Sequence, residues 1–209
     1  MVKGAIFDLD GVLVDTAKYH YLAWKELALE LGFDFTEKDN EQLKGVSRMR
    51  SLELLLQIGK ISMTEAQKLE LADRKNRRYV QMLQALTKAD LLEGAEACIL
   101  QLRQKGVKIS LGSASKNAPF ILEKLEIRDL FDAVVDGNMV SRAKPDPEVF
   151  LTAVQLLALK PEECCVFEDA QAGIDAAKAA GCLAIAVDKA GILMGADMTI
   201  HSLSQFQML

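Results

Sequence analysis

From about residue 91 onward, short β-rich runs alternate with helical stripes, and few folds accommodate that alternation. Ala95, Cys98, Ile99 and Leu102 form a helical stripe closed by Gly106, and Val107, Ile109 and Leu111 then read as a strand. A helix follows with Pro119 near its start and Leu122 and Leu125 inside it. Ala133–Val135 reads as a strand, Asp146 and Pro147 as the N-cap and first residue of a helix, and residues 164–167 as another strand. Residues 170–180 read as a helix ended by Gly181, before a strand over Leu183–Val187. The pattern predicts an α/β fold, a Rossmann-like parallel sheet with crossover helices. Residues 189–209 form a short tail with no assigned strand.

The N-terminus adds a strand that has nothing else to pair with. Val2, Ala5, Ile6 and Phe7 make a short apolar run, followed at once by Asp8, Asp10, Gly11 and Asp15, which break strands and favour turns. Two carboxylates therefore sit where a strand ends, and the crevice beyond strand ends is where open α/β sheets bind ligands. Such carboxylates repel each other and need a cation or a shared proton. A hard divalent ion such as Mg²⁺ meets that need, leaving one Asp as nucleophile and the other as proton donor and acceptor. Taken alone, Asp8 and Asp10 are equally compatible with an ordinary turn.

Between these parts the chain reads as helical. Trp24, Leu27, Ala28 and Leu31 recur at helical spacing before Gly32, with His20 one turn earlier on the same stripe, where a satisfied core histidine is the commoner occupant. Ser47 is a good N-cap for a helix through Leu52, Leu55 and Leu56. Thr64 and Gln67 form a capping-box pair, and Leu69, Ala72, Val80 and Leu83 mark the apolar face expected of the helix that follows. Asn76 falls within that face and needs a polar partner. No strand pattern occurs over residues 15–87, so residues 16–87 are expected to form a helical cap inserted into a core of residues 1–15 and 88–209. A chain of 209 residues supports such a core. The net charge of −5 argues against nucleic acid as a partner. No apolar run approaches the roughly 18 residues that span a membrane, and the N-terminus starts a strand instead of a signal peptide. A cytoplasmic monomer is expected. Cys98, Cys164, Cys165 and Cys182 lack metal-ligand spacing and read as small buried residues.

Three more polar clusters fall at expected strand ends. Gly112 to Asn117, GSASKN, combines small residues with hydroxyls ahead of a helix, a modest signal for an anion site. Lys144 precedes Pro145, which biases it to an extended conformation and aims its ammonium. Glu168 and Asp169 follow a strand in VFEDAQAG and offer oxygen ligands to a divalent cation, or an acidic start to a helix.

The string FDLDGVLVDT resembles the first motif of the haloacid dehalogenase superfamily of phosphohydrolases and phosphomutases, and Ser113, Lys144 and Glu168 with Asp169 match its later motifs in order. The resemblance implies phosphoryl transfer with Asp8 as nucleophile, Asp10 as acid/base, and Mg²⁺ held by Asp8, Asp10 through its backbone carbonyl, Glu168 and Asp169. TAKYHYLAWKEL, LKGVSRMRSL, DRKNRRYVQML and SASKN are similar to the sugar-phosphate mutases of that superfamily. That similarity implies a phosphosugar substrate, with β-glucose 1-phosphate and glucose 6-phosphate interconverted through β-glucose 1,6-bisphosphate. It further implies that Ser113, Ala114 and Lys144 hold the transferring phosphoryl group, while Arg48, helped by Ser115, Lys116 and Asn117, anchors the second phosphate. Trp24, Gly45, Val46 and Ser47 would line the sugar side. Thr16 and His20 would tie the acid/base to the cap, and Lys75 and Asn76 would face the cleft. Arg77 and Arg78 fall outside the pattern and read as a solvated face. A sugar-phosphate phosphatase shares every core motif and is the alternative.

Overall fold

The structure, a computed structural model, describes residues 2–43 and 46–207. Strands β1 (Gly4–Phe7), β2 (Lys108–Gly112), β3 (Ala133–Val135), β4 (Cys164–Glu168), β5 (Leu183–Val187) and β6 (Met198–Ile200) form one parallel sheet in the order β3-β2-β1-β4-β5-β6. The strand order reverses between β1 and β4, where Phe7 lies opposite Phe167 and the Asp8 N–H donates to the Phe167 carbonyl at 3.0 Å. The chain therefore leaves β1 and β4 side by side at the topological switch point, with carboxylates on both exits. β6 lies in the tail to which the sequence assigned no strand.

Strand side chains alternate between two cores. Ala5, Phe7, Cys165 and Phe167 face one side with α5 (Ala95–Gln104) and α6 (Ala118–Lys124). Ile6, Cys164 and Val166 face the other with α7 (Glu148–Leu156) and α8 (Gln171–Ala180). Phe7 stacks on Phe167 with ring centroids 4.5 Å apart, and Phe206 meets Phe167 edge-on. α7 starts one residue later than its sequence signal: Pro147 is the N-cap, and Asp146 acts through its side chain, accepting from the Glu148 N–H at 3.0 Å. All four cysteines are free and buried, and burial raises every one of their thiols above the ordinary range.

The intervening stretch holds α1 (Ala17–Glu30), α2 (Glu37–Glu41), α3 (Arg48–Ile58) and α4 (Glu65–Leu83). Among the described residues no strand lies in it. The Ser47 and Thr64 caps form as their residue types require, with Thr64 and Gln67 closing a capping box. Trp24, Leu27, Phe35, Leu52, Leu55, Leu71 and Ala72 make a third core among these helices. The buried face of α4 is Leu71, Ala72, Lys75, Tyr79 and Leu83: Ala72 and Leu83 are buried as expected, whereas Leu69 is 61% exposed and Val80 only half-buried. A cation and a phenol at Lys75 and Tyr79 hide the true face from a hydrophobicity pattern. The chain leaves and returns at one point, where Val14 bridges Leu91 and the Leu92 N–H donates to the Leu13 carbonyl at 2.9 Å. Ala23, Tyr79 and Leu83 pack into the same core as Phe7, joining the helices to the sheet. No helix is long and apolar enough to cross a membrane among the described residues.

Candidate active site

Asp8 and Glu168 end adjacent strands and share one cation. Lys144 Nζ donates to Asp8 Oδ1 at 2.7 Å and to Glu168 Oε1, and the lysine is 4% exposed. Burial opposes the ammonium's charge, but the Asp8 and Glu168 carboxylates together outweigh it and hold Lys144 above its ordinary value. Burial raises Glu168 despite that lysine. Asp8, Glu168 and Asp169 have carboxylate oxygens within 4.8 Å of one another. Two carboxylates around one ammonium keep a negative charge, and a three-carboxylate oxygen set suits a hard divalent ion. The residues present therefore fit Mg²⁺.

The loop after β1 separates the two aspartates. Asp10 is not one of those three clustered carboxylates and accepts a hydrogen bond from the Thr16 hydroxyl. Burial, then the negative charge of Asp8, pushes Asp10 up to about 7, a value at which a carboxyl group both accepts and donates protons. Thr16 itself is fully buried. Beyond it, His20 Nδ1 lies 2.8 Å from Lys75 Nζ, and the Lys75 ammonium sits over the Trp24 and Tyr79 rings at 4.5 and 4.7 Å. Burial lowers Lys75 well below its ordinary value, with the Arg48 charge adding to it; burial and then Lys75 lower His20 likewise. Its surroundings thus disfavour the charged form of His20, and its Nδ1 shares a hydrogen bond with Lys75.

Residues 113–117 form the opposite wall. The Ser113 N–H donates to the Val135 carbonyl at 3.0 Å and its hydroxyl accepts from the Ser115 N–H at 3.1 Å, which curls the loop. α6 is only seven residues long, so the loop's own amides and hydroxyls, more than a helix terminus, make this wall polar. Asn117 leaves its helix uncapped and donates instead to Asn76 Oδ1 at 2.9 Å, giving Asn76 the polar partner its place demanded. One cavity of about 600 Å³ touches Asp8, Asp10, His20, Trp24, Val46, Ser47, Arg48, Lys75, Asn76, residues 113–117, Lys144 and Asp169. Thr16 and Glu168 are not among its lining residues and support it from behind. Gly45 lies outside the described residues. Arg48 is half-buried on the first turn of α3, and burial lowers its guanidinium from the ordinary value. Arg77 is exposed and paired with Asp73, as a solvated face requires, but Arg78 is half-buried between helices and pairs with Glu26 and Glu30.

Several supporting residues were given no site role by the sequence, even where they fall within its motifs. Gly11 has φ +79°, and a Cβ there would overlap the Asp169 carboxylate; a Cβ on Gly173 would overlap Glu168. Both glycines let the backbone close over a ligand carboxylate. Phe150 lies under the Lys144 ammonium at 4.8 Å. The Tyr79 hydroxyl is buried near Thr16 without a hydrogen bond of good geometry, and burial, then the Asp10 charge, raises it well above its ordinary value. Its signal in sequence was its place one turn after Lys75.

Residues 2–181 match the haloacid dehalogenase-like hydrolase family. β-Phosphoglucomutase of Bacillus subtilis (strain 168) is 45% identical over 205 residues, 97% of this chain and 91% of that protein. The solved structure of β-phosphoglucomutase from Clostridium difficile superposes with a TM-score of 0.95 at 41% identity, covering 99% of this chain and 94% of that one. A phosphorylated carbohydrates phosphatase of Thermotoga maritima is 30% identical over 183 residues, 86% of this chain and 82% of that protein. On the family match, and on its similarity to β-phosphoglucomutases over nearly its whole length, the chain belongs to the haloacid dehalogenase-like hydrolase family.

Proposed function

We propose that the protein is a Mg²⁺-dependent phosphomutase that interconverts β-glucose 1-phosphate and β-glucose 6-phosphate through β-glucose 1,6-bisphosphate. The observation that carries this reading is one cavity with phosphate-suited groups on two walls: Lys144 and Ser113 beside Asp8, and Arg48 on α3. Hydrolysis requires only the first. A sugar carrying a phosphate at each end requires both, and a guanidinium fork suits the group that is not being transferred.

In the proposed cycle Asp8 attacks phosphorus at one end of the bisphosphate and the bond from phosphorus to the sugar oxygen breaks. Asp10 gives its proton to that departing oxygen. When the other phosphate end of a sugar occupies the Arg48 side, Asp10 takes the proton from the facing hydroxyl as that oxygen attacks the aspartyl phosphate, and Asp8 is freed. Lys144 offsets charge on the transferring group, with Ser113 and Ala114 donating along its edge, while Ser115, Lys116 and Asn117 assist Arg48. Asp8, Glu168 and Asp169, with the Asp10 backbone carbonyl, would hold Mg²⁺, which supplies further charge neutralisation when bound. Thr16, His20, Lys75 and Asn76 link the acid/base to residues 16–87, which act as a cap over the core of residues 1–15 and 88–209. Trp24, Val46 and Ser47 face the sugar. The setting that suits this chemistry is a cytoplasmic monomer, with the bisphosphate as both activator and intermediate.

The test is a paired assay with Mg²⁺, β-glucose 1-phosphate and a trace of β-glucose 1,6-bisphosphate, following glucose 6-phosphate and free phosphate together. Glucose 6-phosphate in large excess over phosphate, and absent with the α anomer, is the expected result. Phosphate released mole for mole with little glucose 6-phosphate would identify a sugar-phosphate phosphatase instead.

A further inference from the structure

We infer that Glu148 is a positioning residue for Lys144. The lysine belongs to no strand or helix; it sits in the irregular stretch between β3 and α7. Its ammonium nevertheless has to reach Asp8 and Glu168 together in a nearly fully buried place. A side chain aimed that narrowly from a loop needs the loop's backbone held.

The hydrogen bonds that hold it converge on Glu148, the first residue of α7. Its carboxylate accepts the Arg142 N–H at 2.7 Å and the Ser141 N–H at 3.1 Å. It also accepts the Ser141 hydroxyl at 3.1 and 3.0 Å on its two oxygens, and Arg142 Nε at 3.3 Å. On the other side of the lysine, the Glu148 N–H donates to Asp146 Oδ1 at 3.0 Å, and the Asp146 N–H donates to the Ala143 carbonyl at 3.0 Å. Lys144 therefore sits in a short turn tied at both ends to the first turn of α7, with only Ala143 between it and the tethered Arg142 amide.

An acidic residue in a helix's first turn is ordinarily explained by the helix dipole alone. Here the contacts say more. Glu148 spends its carboxylate on amides six and seven residues before it, outside the helix, and α7 has no side-chain hydrogen bond from its N-cap. Two successive backbone amides on one carboxylate form charge-assisted bonds. The same helix carries Phe150 under the ammonium, so α7 holds the backbone of Lys144 and underlies its tip.

The inference rests on Lys144 contacting the transferring phosphoryl group, as in the reading above, and its test separates the two. The readout is the affinity of Mg²⁺-loaded enzyme for beryllofluoride, a mimic of the aspartyl phosphate on Asp8, in wild type, Glu148→Ala, Lys144→Ala and the double variant. Beside it runs kcat against KM for the phosphosugar turnover, whether mutase or hydrolysis. Glu148→Ala is expected to lower kcat by about 100-fold, the order of effect of a displacement near 1 Å, with KM changed by less than about threefold. It should weaken beryllofluoride binding about tenfold in wild type and less than about twofold once Lys144 is absent. Equal losses in both backgrounds, or wild-type kcat in Glu148→Ala, would overturn the assignment. Glu148→Gln keeps one acceptor oxygen and should fall between; it decides the same comparison if the alanine variant does not fold. A wild-type enzyme that only hydrolyses its substrate would overturn the mutase reading while leaving this comparison decisive for Glu148.

Discussion

Gly173→Ala sets two effects of known sign against each other. Gly173 lies in the first turn of α8, where alanine favours a helix over glycine by about 1 kcal/mol. The added methyl, however, would overlap Oε1, Cδ and Cγ of Glu168. That side chain is held by both oxygens: Oε1 takes the Lys144 ammonium, and Oε2 accepts the Asp169 and Ala170 N–H groups at 2.9 and 3.1 Å. With Glu168 1% exposed, it moves only by breaking a buried ion pair, which costs about 3–5 kcal/mol when one partner is lost. The overlap wins, leaving a net destabilisation of roughly 2–4 kcal/mol, or on the order of 10 °C in melting temperature for a chain of this length. Thermal unfolding with and without Mg²⁺ measures both parts, because displacing Glu168 should also raise the Mg²⁺ requirement. Gly106→Ala separates strain from overlap: its φ of +77° strains alanine, as the Gly173 backbone does not, while a Cβ there meets nothing within 4 Å, so it should lower stability without changing the Mg²⁺ requirement. A Gly173→Ala protein as stable as wild type, with an unchanged Mg²⁺ requirement, would refute the reasoning and show that Glu168 moves freely.

Thr16→Val removes the hydroxyl that donates to Asp10, a charge-assisted bond of about 1.5–3 kcal/mol. The expected fall in kcat is about 10- to 100-fold with KM little changed, and steady-state kinetics within twofold of wild type would count against the role of Asp10. Arg48→Ala should abolish glucose 6-phosphate formation by more than about 100-fold yet leave slow phosphate release, since it removes the second anion site alone. An unchanged mutase rate sinks the two-site reading. His20 also sets a pH dependence: its folded-state value is depressed, with Lys75, Arg48 and the Tyr79 ring around it, so the unfolded chain protonates first. Stability from this group is full above 6.5 and is lost as pH falls below it. In His20→Gln, urea midpoints compared between about pH 7.5 and about pH 5 should fall less than in wild type.

The fold was legible because its signals are local. Apolar runs ending in Asp8 and Glu168, the Ser47 and Thr64 caps, and the glycines that end helices each act within a few residues. The site followed from the same strand ends, since a parallel sheet brings its exits to one edge. What stayed hidden depends on contacts distant in sequence. Lys75 faces inward against His20, fifty-five residues away, so a hydrophobicity pattern finds Ala72 and Leu83 on the α4 face but marks Leu69 and Val80 where Leu71 and Tyr79 are buried. Gly11 and Gly173 look like turn and helix residues until the carboxylates beside them are placed. Strand β6 is three residues long, with two of them exposed, too little pattern to announce itself.

A phosphatase and a mutase built on this core differ in when Asp10 is allowed to act. Hydrolysis needs only a water beside the aspartyl phosphate, and the core residues alone would admit one. Here the acid/base is reached through the helices: Thr16 holds Asp10 from the N-cap of α1, and one turn on, His20 meets Lys75 of α4. The neighbouring Asn76 is bonded to Asn117 of the opposing wall, so α4 touches both the acid/base side and the loop facing Arg48. Any shift of α4 must disturb the Lys75–His20 contact and the Asn76–Asn117 bond together, because the two residues are adjacent on one rigid helix. In the proposed cycle these two contacts would couple the placement of Asp10, through α1 and α4, to what occupies the Arg48 side of the cavity, and that coupling would favour a phosphosugar over water as the acceptor.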